Sequence, residues 1–294
     1  MSFYDTILLP FIDYGFMRRA LAACIIMAAS GAPLGVFLVL RRMTLMSEAT
    51  SHAILPGAAI AFLISGAALW PMTIGGLIAG LTVALIAGVI TRITSLKEDA
   101  SFTAAYLASL AFGVLIISMK GSAVDLLHIL FGNVLAVDSD SLFLVGSVAS
   151  VSLLTMAIIY RPLIIECFDS SFLKAQGKSG AIYHQLFLIL VVLNMVASFQ
   201  VLGTLMAVGI IILPAIATRF WTNKIDIAIA LAMFFGAISS AIGLLLSYHF
   251  SLPSGPAIVL TASAWYIISV FIGSSGGILT RFYPRKHFHL EDDI

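Results

Sequence analysis

Nine apolar stretches, each close to the length that crosses a bilayer, follow one another down this 294-residue chain with short connections between them. They run from 20 to 40, 52 to 69, 72 to 91, 101 to 119, 141 to 160, 182 to 199, 201 to 218, 227 to 249 and 256 to 273. A transmembrane helix needs about 20 mostly apolar residues, and in lipid only helices and closed barrels satisfy every backbone N–H and C=O. The pattern predicts an all-α polytopic membrane protein with eight to nine transmembrane helices in a single domain, residues 1–294. With 61% hydrophobic and 10% charged residues, the chain has no room for a soluble catalytic domain. A net charge of +1 gives no electrostatic reason to expect nucleic acid. The first fifteen residues carry Asp5 and Asp13 and no basic segment, unlike a cleaved signal peptide.

Basic residues set the orientation, because cytoplasmic connections are enriched in Lys and Arg. With nine spans and the amino terminus outside, Arg41, Arg42, Arg92, Lys97, Arg161, Lys174, Lys178, Arg219, Lys224, Arg281, Arg285 and Lys286 fall inside, and only Arg18, Arg19 and Lys120 fall outside. Residues 1–17 read as an amphipathic piece lying in the interface. Arg41 and Arg42 are read as enforcing this orientation. Cys24 reads as a packed apolar residue and Cys167 as a loop thiol. Small residues at one-turn spacing, Gly31 with Gly35 and Gly76 with Gly80, read as faces for close helix packing.

At the mouth of the second span stands Met43-Thr-Leu-Met-Ser-Glu-Ala-Thr-Ser-His-Ala-Ile-Leu-Pro-Gly57. On a helix, Glu48 and His52 project from one face, one turn apart, where both can reach one cation. Pro56-Gly57 is expected to interrupt the helix just beyond them, and Pro214 and Pro253 mark similar sites, so broken helices near prolines are expected. The plainer roles for the same pair are a charge that complements the helix dipole and a packed, hydrogen-bonded imidazole.

Other polar groups are weaker candidates. In the outer connection 121–140, Asp125 and His128 stand three apart, and they read first as a solvated face. His184 and His249, at span ends, read first as interfacial, with the outer vestibule as the alternative for His249 before Leu252-Pro-Ser-Gly. The inner connection 161–182 contains Phe168 and Phe172 on a short helix capped by Asp169 or Ser170 and ended by Gly177, a surface for docking another protein. Gly177-Lys178-Ser179 mimics the end of a phosphate loop, but Phe172 stands where the required glycine belongs and no strand precedes it. No nucleotide site is therefore expected, and the chain is not read as an enzyme. The tail 281–294 carries His287 and His289 and is read as solvated.

Four blocks together resemble the membrane permease subunits of ABC-type importers for manganese, zinc and iron: residues 46–57, Phe131-Gly-Asn-Val-Leu135, Gln200 to Thr218 with its Leu213-Pro-Ala, and Leu252 to Leu260 with its Leu-Pro-Ser-Gly-Pro. The family usually has Asp where this chain has Glu48, which is one methylene longer. The resemblance implies a type II ABC importer-like fold in the bacterial cytoplasmic (inner) membrane. It also implies a homodimer of this chain, two cytoplasmic ATP-binding subunits and an extracytoplasmic metal-binding protein. The segment around Phe168, Asp169, Phe172 and Gly177 would be the coupling helix. No covalent cofactor is implied; the cargo would be a divalent transition metal, manganese, zinc or iron, passed along Glu48 and His52. A stand-alone, gradient-driven carrier is the main alternative. An intramembrane metalloprotease is a further one, and it lacks the second histidine of an HExxH pair.

Overall fold

The computed structural model describes residues 8–66, 68–120, 134–168 and 180–282. The chain runs through α1 (Leu9–Asp13), α2 (Gly15–Leu40), α3 (Thr44–Ser65), α4 (Leu69–Ile93), α5 (Glu98–Lys120), α6 (Ser139–Phe168), α7 (Gly180–Leu202), α8 (Thr204–Thr218), α9 (Ile225–Phe250), α10 (Ser254–Ile272) and α11 (Ile278–Phe282). A 3-10 turn at Val134–Ala136 precedes α6, and there is no strand among the described residues. Eight helices are long and apolar enough to cross a membrane. The ninth expected span is α8, only 15 residues long. It is short because the chain breaks at Gly203, whose φ of +86° suits glycine and ends the run from α7.

Hydrogen bonds across the helix ends sort those ends into two groups. At one end, the Arg41 guanidinium reaches Cys167 and His184, the Trp221 indole donates to Ser269, and the Ser275 amide donates to the Phe220 carbonyl. At the other end, the Arg19 guanidinium donates to the Val137 carbonyl, and Tyr14 packs on Tyr248. The helices thus alternate in direction, and Arg41, Arg42, Arg219 and Lys224 share one end, the end that the charge pattern reads as inner. Eight such helices make the chain a multi-pass membrane protein. At the outer end, the short α1 buries Pro10 while Leu9 and Ile12 stay exposed.

The most enclosed helices are α2 and α7, with 72% of the apolar window of each buried, against 17% for α5. In their core Phe37, Phe187, Phe199, Met27 and Met195 are fully buried. The helix α8 packs mainly on α10, α2 and α9, and α3 packs mainly on α4 and α5. The Gly31/Gly35 face is where α2 meets α8: a Cβ on Gly35 would lie 2.1 Å from the Ile211 carbonyl oxygen. Gly76 and Gly80 seat the Ile54 and Val192 side chains.

The expected interruption at Pro56-Gly57 does not occur, since α3 is continuous from Thr44 to Ser65. Packing from both sides supports the helix there. A Cβ on Gly57 would stand 2.0 Å from the Gly75 carbonyl oxygen of α4, and one on Gly113 of α5 would stand 2.7 Å from the Pro56 ring. The Ser109 hydroxyl also donates to the Ala53 carbonyl at 3.3 Å, in the turn that Pro56 leaves one N–H short. Pro33, Pro162 and Pro214 likewise lie inside helices.

Candidate functional site

The segment that carries Glu48 and His52 starts from a tight reversal. The Met43 amide donates to the Leu38 carbonyl at 2.9 Å and the Arg42 amide to that of Val39 at 3.2 Å, the paired bonds of a Schellman end. Arg42 takes the left-handed position at φ +60°, where glycine is usual. Helix α3 then starts at Thr44, so the pair lies inside the span and not before it, as the apolar boundary at 52 suggested. Polar side chains masked this part of the span, and their hydroxyls are satisfied within the helix. Thr50 donates to the Met46 carbonyl at 2.7 Å and Ser51 to that of Ser47 at 3.2 Å. The Ser47 and Ser51 hydroxyls also lie 3.8 Å from the Met195 sulfur, and both residues are buried.

Glu48 and His52 project from one side of α3, one turn apart. At 1.5 Å per residue Glu48 lies about 6 Å and His52 about 12 Å from the start of a helix about 33 Å long. The pair therefore sits in the inner third of the span. Glu48 is exposed on this chain. His52 is half-buried, its ring stacked on Tyr106 of α5 with centroids 6.2 Å apart and planes at 27°. Tyr106 is the neighbour that sequence reasoning missed, since nothing in its own segment marks it. A carboxylate and an imidazole suit borderline and hard divalent cations. Among the described residues no group of three or more His, Cys, Asp or Glu could hold a metal ion.

Of the other expected residues, the described ones, His249 and Phe168, do not join this site. His249 is exposed at the far end of α9, its ring against Tyr248. Asp125, His128, Asp169, Phe172, Gly177, His287 and His289 lie outside the described residues. Phe168 ends α6 and is 71% exposed. Two readings of this corner are corrected. Cys167 is not a loop thiol but belongs to α6, which runs eight residues past Tyr160. Arg41, beyond setting orientation, bonds Cys167 and His184 and lies over the Phe187 ring at 5.7 Å. Beyond Pro56, a groove of about 820 Å³ opens between α3, α4 and α5; its walls are mostly apolar, among them Ile60, Ile78 and Phe112, and hold no ionisable side chain.

Known proteins resemble this helical membrane protein along nearly its whole length. Residues 13–273 match the model of the ABC 3 transport family. The chain belongs to that family. It is 35% identical to the manganese transport system membrane protein MntC of Halalkalibacterium halodurans over 285 residues, 97% of this chain and 95% of the relative. A probable iron transport system membrane protein of Haemophilus influenzae is 32% identical, over 91% of this chain and 97% of its own length. Among solved structures, PsaBC from Streptococcus pneumoniae in complex with Fab matches with a TM-score of 0.81 and 33% identity, covering 94% of this chain and 98% of that one. This permease is thus a membrane component of the ABC-type manganese importer family, a transport subunit with the fold expected from its sequence.

Proposed function

We propose that this permease is the transmembrane subunit of an ATP-driven importer for a divalent transition metal, with manganese the first candidate and zinc or iron as alternatives, and that Glu48 and His52 handle the ion in transit. The observation that carries the reading is the pair itself. It is a carboxylate and a neutral-capable imidazole on one face of α3, inside an apolar span where an ionisable group costs about 2.5–3.5 kcal/mol to insert. The relatives named for manganese transport and for iron transport support the cargo class.

On this reading the chain is one transmembrane domain, with the connection between α6 and α7 as coupling loop and 281–294 as a cytoplasmic tail. It works as a homodimer with two cytoplasmic ATP-binding subunits and receives the ion from an extracytoplasmic metal-binding protein. ATP is hydrolysed in those partner subunits. The exposed Glu48 on α3 supports the dimer, because a carboxylate facing lipid is costly. A second copy facing it brings two carboxylates and two imidazoles to a common axis. Four donors make a fuller coordination shell than the two one chain supplies. ATP binding and release then alternate access to this set between the two sides of the membrane. Histidine binds metal through a neutral nitrogen, which ties transport to the deprotonated imidazole.

The test is metal uptake into proteoliposomes holding the full complex, with Glu48→Ala and His52→Ala beside the unaltered protein. Each substitution is expected to abolish manganese uptake while the ATP-binding subunits still co-purify. Normal uptake in both variants would return the pair to a packing role. Uptake that persists without the ATP-binding subunits would instead make the protein a stand-alone carrier.

A further inference from the structure

We infer that Arg41 is the positioning residue that transmits movement of the cytoplasmic coupling segment to the metal pair on α3. The inference rests on the proposed docking of ATP-binding subunits at 168–177, and it adds a mechanical route from that dock to Glu48 and His52.

Three observations carry it. Arg41 ends α2, and its Nε donates to the Cys167 sulfur at 3.2 Å, in the last turn of α6. The same guanidinium bonds His184 Nδ1 in the second turn of α7 and lies over the Phe187 ring at 5.7 Å. Helices α6 and α7 are the two ends of the coupling connection, so a single fork of N–H donors ties both ends to the α2–α3 reversal. Second, that reversal is too tight to absorb a displacement. Only Arg42 and Met43 separate Arg41 from Thr44, and both donate amide hydrogens back into the last turns of α2. A shift of Arg41 therefore moves the first turn of α3, and Glu48 lies one turn farther on. Third, the junction has room to change. His184 borders a cavity of about 40 Å³ whose other walls include Met43 and Met46 of the α3 start, Thr91 of α4, Phe102 of α5 and Gln185 of α7. The latch and the beginning of the metal-bearing helix thus share one small void, where close-packed cores elsewhere permit no rearrangement.

Arg suits this role and Lys does not, because a planar fork holds two partners at fixed angles whereas an ammonium on a flexible stem holds them loosely. Arg41→Lys keeps the inner positive charge and discards the fork. The experiment measures manganese moved per ATP hydrolysed in proteoliposomes of the full complex, with manganese supplied through the binding protein. With Arg41→Lys, the complex is expected to co-purify and hydrolyse ATP near the unaltered rate while manganese per ATP falls about tenfold, the scale on which one residue in a coupling network acts. His184→Gln, which removes one partner and leaves the guanidinium, is expected to lower the ratio less. Joined to Arg41→Lys it should add nothing. If Arg41→Lys does not assemble, His184→Gln carries the measurement. An unchanged ratio in the assembled variants overturns the inference, and so does a loss of uptake matched by an equal loss of ATP hydrolysis. Failure of the unaltered complex to take up manganese with ATP would refute the proposed function instead, which keeps the two failures apart.

Discussion

Gly57→Ala is the sharpest test of what holds α3, the helix of Glu48 and His52, in place. At the α3–α4 crossing a Cβ on Gly57 would lie 2.0 Å from the Gly75 carbonyl oxygen and 2.6 Å from its carbon. Both atoms are backbone, so no rotamer change relieves the clash. Restoring an ordinary contact of 3.4 Å requires α4 to retreat by about 1.4 Å. Overpacking of this kind costs about 1–3 kcal/mol, with the upper part of that range fitting a backbone obstacle. Alanine returns about 1 kcal/mol through its better helix propensity. The net expectation is destabilisation by about 1–2 kcal/mol. Gly146→Ala on α6 is the control, because a Cβ there meets nothing within 4 Å and only the propensity gain remains. Thermal unfolding of the purified variants in detergent, followed by tryptophan fluorescence, should show Gly57→Ala melting lower than the unaltered protein and Gly146→Ala melting level or higher. Manganese uptake should fall in the first variant and persist in the second. Equal melting temperatures for the two variants would refute the claim that backbone approach at Gly57 positions α3.

Two further substitutions read local geometry by the same melting assay. Arg42→Gly should raise stability by about 0.5–1 kcal/mol, since Arg42 occupies a left-handed position at φ +60° that glycine adopts without steric cost; a lower melting temperature would mean that the Arg42 side chain holds the turn. Asp138 caps α6, its carboxylate accepting from the Ser141 amide at 2.8 Å. Bonds from Ser141 hold its pKa below the usual carboxylate value. Asp138→Ala should cost about 1 kcal/mol near neutral pH. Because the folded-state pKa is depressed, the cap is at full strength above the unfolded carboxylate range and is lost as pH falls through the folded value. Asp138→Asn should match the unaltered protein near neutral pH and outlast it below about pH 4; parallel curves at all pH values would contradict the assignment.

The membrane class and the number of crossings to within one were legible in the sequence, because lipid leaves a chain few choices. Glu48 and His52 were legible as a pair because helical spacing is local. Three features were not. The start of α3 was hidden by Ser47, Thr50 and Ser51, whose polarity lowers hydropathy although the helix itself satisfies two of their hydroxyls. Pro56-Gly57 carries the residue signature of a break, yet it is where α4 and α5 close on α3; whether proline interrupts a helix depends on which neighbours satisfy and support it. Tyr106 against His52, and Arg41 against Cys167 and His184, join residues 54, 126 and 143 positions apart. Local periodicity carries no information about such pairs. The sequence alone determined what must be buried in lipid and which two side chains share a helix face. Only the tertiary structure decided that their helix is clamped at its middle and tied at its inner end to α6 and α7, because those contacts come from helix packing between distant parts of the chain.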